Sequence, residues 1–289
     1  MDRGFTIITD GTSDLPEQLR KEEGIYVIPA PYFINEVEHT SVDDIKEFYK
    51  IMRDGTIPTT SQINIVDATN VFDKCLALGK DILVVGFSSV LSGSYFREKN
   101  LADEYNENPN NPRIYVVDSK MATTGEALVV WYANKLRQEG KTAKEVCDWI
   151  IKHNDEFCAY FTPNDLFHLQ KGGRVSKASA IFGTMLGVKP VLHINIEGKL
   201  IPIDKMRGRK SALDALVDNM EKKTKGIDNP MVAIGHADCY EDAVYVKEQV
   251  EKRLGCKNFM IDFIGPVIGA HAGPGTVALF FMGDTRVIE

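Results

Sequence analysis

A short apolar β-rich run, a hydroxyl-bearing loop and a helical stretch follow one another three times in the N-terminal half, and this repetition restricts the fold more than any other feature. Phe5 to Thr9 leads into Asp10-Gly11-Thr12-Ser13-Asp14 and a helix opened by Pro16, where a missing N–H costs nothing. Ile82 to Val85 leads through Ser88-Ser89 to a helix from about Gly93, and Ile114 to Val117 leads through Asp118-Ser119 to a helix from about Thr123. Alternating β and α segments predict a mainly parallel sheet with helices on both faces. Further helices are expected over 42–53, with Ser41 as N-cap, and over 66–78 and 143–153.

The texture changes after 157–161. Helical stretches at 164–171 and 177–186 precede a hairpin of 189–194 with 200–205 around Glu197-Gly198-Lys199. Two more β-rich runs follow at 231–234 and 259–264, with a helix at 241–254 between them and a last strand at 277–282. A chain of 289 residues is long enough for two cores. The expected architecture is α/β: two packed α/β domains, 1–160 with the Thr/Ser loops and 161–289 with a Gly-rich loop around His271.

Net charge is 34 − 41 = −7, which repels polyanions and argues against nucleic-acid binding. Five cysteines without a C-x-x-C pair argue against a disulfide framework and a thiolate zinc site. Neither a leader-like apolar stretch nor a run long enough to span a bilayer is present, so a cytoplasmic location is expected.

In α/β sheets ligands sit beyond the carboxyl ends of strands. Thr59-Thr60-Ser61-Gln62, Ser88-Ser89 with Ser92-Gly93-Ser94, and Thr123-Thr124-Gly125 all place hydroxyls and free amides at helix beginnings. Such groups hold an anion without burying a positive charge, although each hydroxyl serves equally as a cap of its own helix. Ile268 to Gly275 sets His271 among closely spaced glycines, and with no carboxylate beside it His271 reads equally as structural or functional. Gly86-Phe87-Ser88-Ser89-Val90 lacks the final glycine of a nucleophile elbow, and no phosphate-cradling or dinucleotide glycine pattern occurs. A Ser92 and His271 pair leaves an acyl hydrolase or transferase open as an alternative, and the same amides suit a small phosphorylated metabolite. Arg174 after Gly172-Gly173, and Lys205 to Lys210 with Arg207, are basic features suited to phosphate or an acidic partner; a solvated surface accounts for them as well.

Taken together, Thr9-Asp10-Gly11-Thr12-Ser13-Asp14-Leu15, Pro58-Thr59-Thr60-Ser61-Gln62, Ser89-Val90-Leu91-Ser92-Gly93-Ser94-Tyr95, Val117-Asp118-Ser119, Gly172-Gly173-Arg174-Val175-Ser176, Lys189-Pro190 and His271-Ala272-Gly273-Pro274-Gly275 closely resemble the DegV family. The resemblance runs from end to end. It implies a bacterial fatty-acid-binding protein of two α/β domains, similar to the non-catalytic acyl-carrying subunit of fatty acid kinase. Thr60 and Ser92 would then bind the carboxylate of a palmitate-like acid, with Thr59, Ser61 and His271 close by, while Arg174 and Arg207 would face the kinase. No cofactor or metal is implied beyond the bound fatty acid. The departures are Ile63-Asn64 where the family often has proline, and Ser94 where it more often has threonine; both leave the donors in place. A tail slot between the domains is expected along Phe161, Leu166, Phe167, Ile181, Phe182, Met185, Leu186 and Ile268.

Overall fold

The computed structural model describes residues 4–175 and 187–287, and three sheets form among them. β1 (Thr6–Asp10), β2 (Tyr26–Ile28), β6 (Ile82–Gly86) and β7 (Ile114–Asp118) make a parallel sheet in the order β2-β1-β6-β7. Its register runs through Ile8↔Tyr26, Ile8↔Val84 and Val84↔Val116. β1 and β6 are fully buried, as expected of apolar strands covered on both faces. The chain leaves β1 toward β2 on one side and returns as β6 on the other. The loops after β1 and β6 therefore diverge and open a crevice at that switch point.

The helices of this half are α1 (Glu17–Glu23), α2 (Ile45–Arg53), α3 (Ile65–Leu76), α4 (Ser94–Asn106), α5 (Thr124–Gln138) and α6 (Ala143–His153). The side chain of Asp44, not Ser41, caps α2, accepting from the Lys46 and Glu47 N–H groups at 2.9 and 3.3 Å. A small antiparallel sheet, β4 (Val37–His39), β3 (Tyr32–Ile34) and β5 (Thr59–Thr60), was not foreseen. Strands of two or three residues carry too little periodicity to be read locally.

The second sheet runs β10-β9-β8-β13-β11-β12, built from β8 (Phe157–Thr162), β9 (Val188–Ile194), β10 (Leu200–Arg207), β11 (Val232–His236), β12 (Phe259–Phe263) and β13 (Val277–Met282). It is mixed: β11 and β12 are parallel, while β13 runs antiparallel to both β8 and β11. The expected break between residues 160 and 161 falls inside β8, all of which pairs within this sheet. α8 (Arg209–Lys223) and α9 (Tyr240–Leu254) pack on it, α7 (Phe167–Lys171) packs on α10 (Pro266–Ala272), and α10 turns the expected Gly-rich His loop into a helix. The helical expectation at 177–186 lies outside the described residues.

α5 joins the halves. It packs against β1 and β6 on one side and β11, β12 and β13 on the other. Gly125 makes this approach possible, because a Cβ there would stand 2.3 Å from the Phe280 ring. One hydrophobic cluster consequently includes Ile7 and Val85 of the first sheet, Val129 of α5, and Phe161 and Phe280 of the second. All five cysteines are free.

Candidate functional site

The crevice at the switch point is a cavity of about 430 Å³, within the range of small-molecule sites. The loop after β1 contributes Thr12 and the loop after β6 contributes Phe87, Leu91 and Ser92. β5, α4 and α10 add Thr60, Ser94 with Arg97, and His271. Thr60, Ser61, Ser92 and His271, four residues singled out from sequence, thus share one cavity.

The two hydroxyl loops are stitched together through Ile63. The Ser94 hydroxyl accepts from the Ile63 N–H at 3.1 Å, and Arg97 Nη1 donates to the Ile63 carbonyl at 2.8 Å. Ser92 Oγ lies 3.1 Å from Ser94 Oγ and also accepts the Ser94 N–H at 3.2 Å, so Ser92 lines the cavity and holds the first amide of α4, whose N-cap is Gly93. Ser61 is exposed, and its hydroxyl donates to the Gln62 carbonyl at 3.2 Å.

His271 stands in the last turn of α10 with Nε2 2.8 Å from Thr60 Oγ1. Burial first, then the nearby Arg174 and His168, push its pKa down to about 4, so the ring is neutral near pH 7. His271 is thus engaged by Thr60 while Ser92 is engaged by Ser94, which is not the arrangement a Ser92–His271 nucleophile pair requires.

Two guanidinium groups were not expected here. Arg174 lines the cavity, its Nε donating to the Leu91 carbonyl at 3.2 Å, and burial lowers its pKa. Arg97 lies beside Ser94 one turn into α4. The cavity lining thus carries two guanidiniums beside its hydroxyls. The spacing of Ser94 and Arg97, i and i+3 on one helix face, was the signal available in the sequence. Arg207 is elsewhere, exposed at the end of β10 opposite Val188.

Much of the lining is apolar, with Leu91, Phe161, Leu169, Ile194, Ile268 and Phe280 among its members. Phe161 and Ile268 were foreseen. Leu166 is buried in the shared core and Phe167 is 52% exposed, while Ile181, Phe182, Met185 and Leu186 lie outside the described residues. Behind Thr12 sits an unforeseen acidic group: its hydroxyl lies 2.5 Å from Asp10 Oδ1 and 2.9 Å from Glu126 Oε2. Burial raises the pKa of Asp10, Glu126 and the neighbouring Glu98, favouring the protonated acids. Among the described residues no group of side chains is arranged to hold a metal ion, and no helix is long and apolar enough to cross a membrane.

This architecture has known relatives. A family model described as an uncharacterised protein of the DegV family matches residues 4–284. A DegV domain-containing protein of Clostridium perfringens is 36% identical over 288 residues, covering 98% of each chain. A DegV lipid binding protein of Thermotoga maritima has a TM-score of 0.84 at 29% identity, covering 98% of this chain and 99% of its own. DegV of Bacillus subtilis, a fatty acid binding protein, has a TM-score of 0.84 at 26% identity over 97% of this chain and 99% of its own. The end-to-end sequence match and the shared fold lead to one conclusion: this chain belongs to the DegV family.

Proposed function

We propose that this protein is a fatty-acid carrier that holds one long-chain acid, such as palmitate, by its carboxylate and presents it to a kinase partner for acyl-phosphate formation. The observation that carries this reading is the make-up of one cavity: hydroxyls, a neutral histidine and two guanidiniums line it together with many aliphatic and aromatic side chains. In this reading Thr60 and Ser92 donate to the carboxylate, with Ser61 at the rim. His271, carrying its proton on Nε2, donates to Thr60 Oγ1 and so turns the Thr60 O–H toward the ligand. Arg174 balances the ligand's charge from inside the cavity and Arg207 meets the partner from the surface.

The apolar wall supplies the affinity. Burying roughly 14 methylenes at ~0.8 kcal/mol each gives about 11 kcal/mol before the costs of association. Hydrogen bonds at the carboxylate, about 1.5–3 kcal/mol each before desolvation, fix which end faces outward. The carrier is not an enzyme in this reading, and its place is the cytoplasm.

The test is denaturation of the purified protein, organic extraction and mass spectrometry. Near-stoichiometric long-chain acid is the expected result. Protein that releases no lipid and takes up no added palmitate overturns the reading. Labelling of Ser92 by a serine-directed probe, lost in His271→Ala, would favour the hydrolase instead, and phosphate esters in the supernatant the metabolite binder. For the partner, Arg207→Ala should slow kinase-dependent turnover with lipid content unchanged; loss of lipid in that variant sinks the docking role.

A further inference from the structure

The lining of the cavity holds more positive charge than one carboxylate needs. It contains no aspartate or glutamate among the described residues, yet it carries the guanidiniums of both Arg97 and Arg174. Both bond to backbone carbonyls, Arg174 to Leu91 and Gly172 and Arg97 to Ile63, and neither has a carboxylate partner among the described residues. Carbonyl oxygens satisfy some of the N–H groups and leave the charges uncompensated.

The position of Arg97 runs against its helix. It stands in the first turn of α4, which carries no acidic residue, and the amino end of a helix disfavours a cation. Glu98 follows it in sequence, but that carboxyl is fully buried and the charges acting on it are those of Asp10 and Asp118. Arg97 is nevertheless held in place. Its Nη1 donates to the Ile63 carbonyl at 2.8 Å, while the Ile63 N–H donates to the Ser94 hydroxyl at 3.1 Å, so the guanidinium is anchored to the same pair of loops as Ser92.

Exposure separates the two cations. Arg174 is half-buried, whereas Ser61, Gln62 and Arg97 are the exposed members among the described lining residues and so mark the mouth. A group added to the outward side of a carboxylate held by Thr60 and Ser92 would therefore meet Arg97.

We propose that Arg97 recognises a phosphoryl group: it pairs with the phosphate of a long-chain acyl phosphate seated in the cavity and retains that phosphorylated lipid in preference to the free acid. The proposal rests on the carrier reading given above. In the transfer that reading invokes, a carboxylate oxygen of the acid bonds to the terminal phosphorus of a nucleoside triphosphate. The bond from that phosphorus to the departing nucleoside diphosphate breaks, and no proton is gained or lost. The head of the lipid thereby passes from one negative charge to two. One guanidinium suffices for the acid, and the second finds its counter-charge only in the product. The planar fork of arginine suits phosphate oxygens, which it grips in pairs.

The experiment uses the methylene phosphonate analogue of palmitoyl phosphate, in which a CH2 group replaces the bridging oxygen and prevents hydrolysis. Isothermal titration compares it with palmitate on delipidated wild type, Arg97→Gln and Arg97→Lys. Glutamine keeps a donor for the Ile63 carbonyl without the charge, and lysine restores the charge. The wild type should prefer the phosphonate about tenfold, the glutamine variant should lose that preference, and the lysine variant should recover part of it. Taking the ratio of the two affinities cancels any general loosening of the site. An unchanged ratio in Arg97→Gln overturns the proposal. Phosphorus NMR gives a second readout: the second ionisation of the bound phosphonate should climb by about one pH unit from wild type to Arg97→Gln, because a nearby cation favours the dianion. Identical titrations in the two proteins also overturn it. Hexadecyl phosphate, which has the phosphoryl group without the carbonyl, should bind the wild type more weakly than the phosphonate; equal or tighter binding overturns the assignment to an acyl phosphate. A wild type that takes up neither palmitate nor the phosphonate defeats the carrier reading itself, whereas palmitate binding with no preference for the phosphonate defeats the role of Arg97 alone.

Discussion

At the scale of single residues, the site depends on hydroxyl groups whose partners come from distant segments. Thr60 lies on a two-residue strand, yet its hydroxyl meets a histidine 211 positions later in the chain. Thr60→Val keeps the shape and removes the donor, and it should weaken palmitate binding about tenfold, the equivalent of one net hydrogen bond of about 1.5 kcal/mol. Thr60→Ser restores the donor and should recover most of the affinity. Isothermal titration of the delipidated proteins measures both; equal affinity of the valine variant and the wild type would show that Thr60 does not hold the carboxylate. Ser92 illustrates how two readings of one residue combine: it accepts the Ser94 N–H just before α4 and lines the cavity as well.

At the scale of elements, α5 and α10 decide the geometry. α5 has eleven buried positions because it is covered by both sheets, and Gly125 sits where it comes nearest to β13. Gly125→Ala tests the packing. Alanine gains about 1 kcal/mol of helix propensity, but its methyl would overlap the Phe280 ring, which is 3% exposed and has little room to move. Overlap should win, with a net loss of about 1–2 kcal/mol in urea unfolding. A stabilised alanine variant would mean that α5 and β13 can part without cost. α10 went unread as a helix because its glycines and proline signal a loop locally; the chain there is held by Tyr49 and by packing on α2 and α7.

At the scale of the whole molecule, the shared core makes the two halves one cooperative unit. The lipid-free protein should unfold in a single calorimetric transition, and two separated transitions would contradict a core that spans both sheets. Palmitate at about a hundred times its dissociation constant should add about 2.7 kcal/mol, raising Tm by several degrees. An unchanged Tm would show that the acid does not bind the folded state preferentially.

The sequence by itself determined the parallel first sheet, the hydroxyl loops at its carboxyl edge and the DegV resemblance. These follow from local periodicity and loop chemistry, which neighbouring residues impose on one another. Only the tertiary structure decided that Arg97 and Arg174 enter the cavity, that Asp10, Glu98 and Glu126 are buried together, and that Asp14 stands at the start of α10. Burial, loss of water and close backbone approach belong to pairs of segments, and no window along a single strand or helix contains both members.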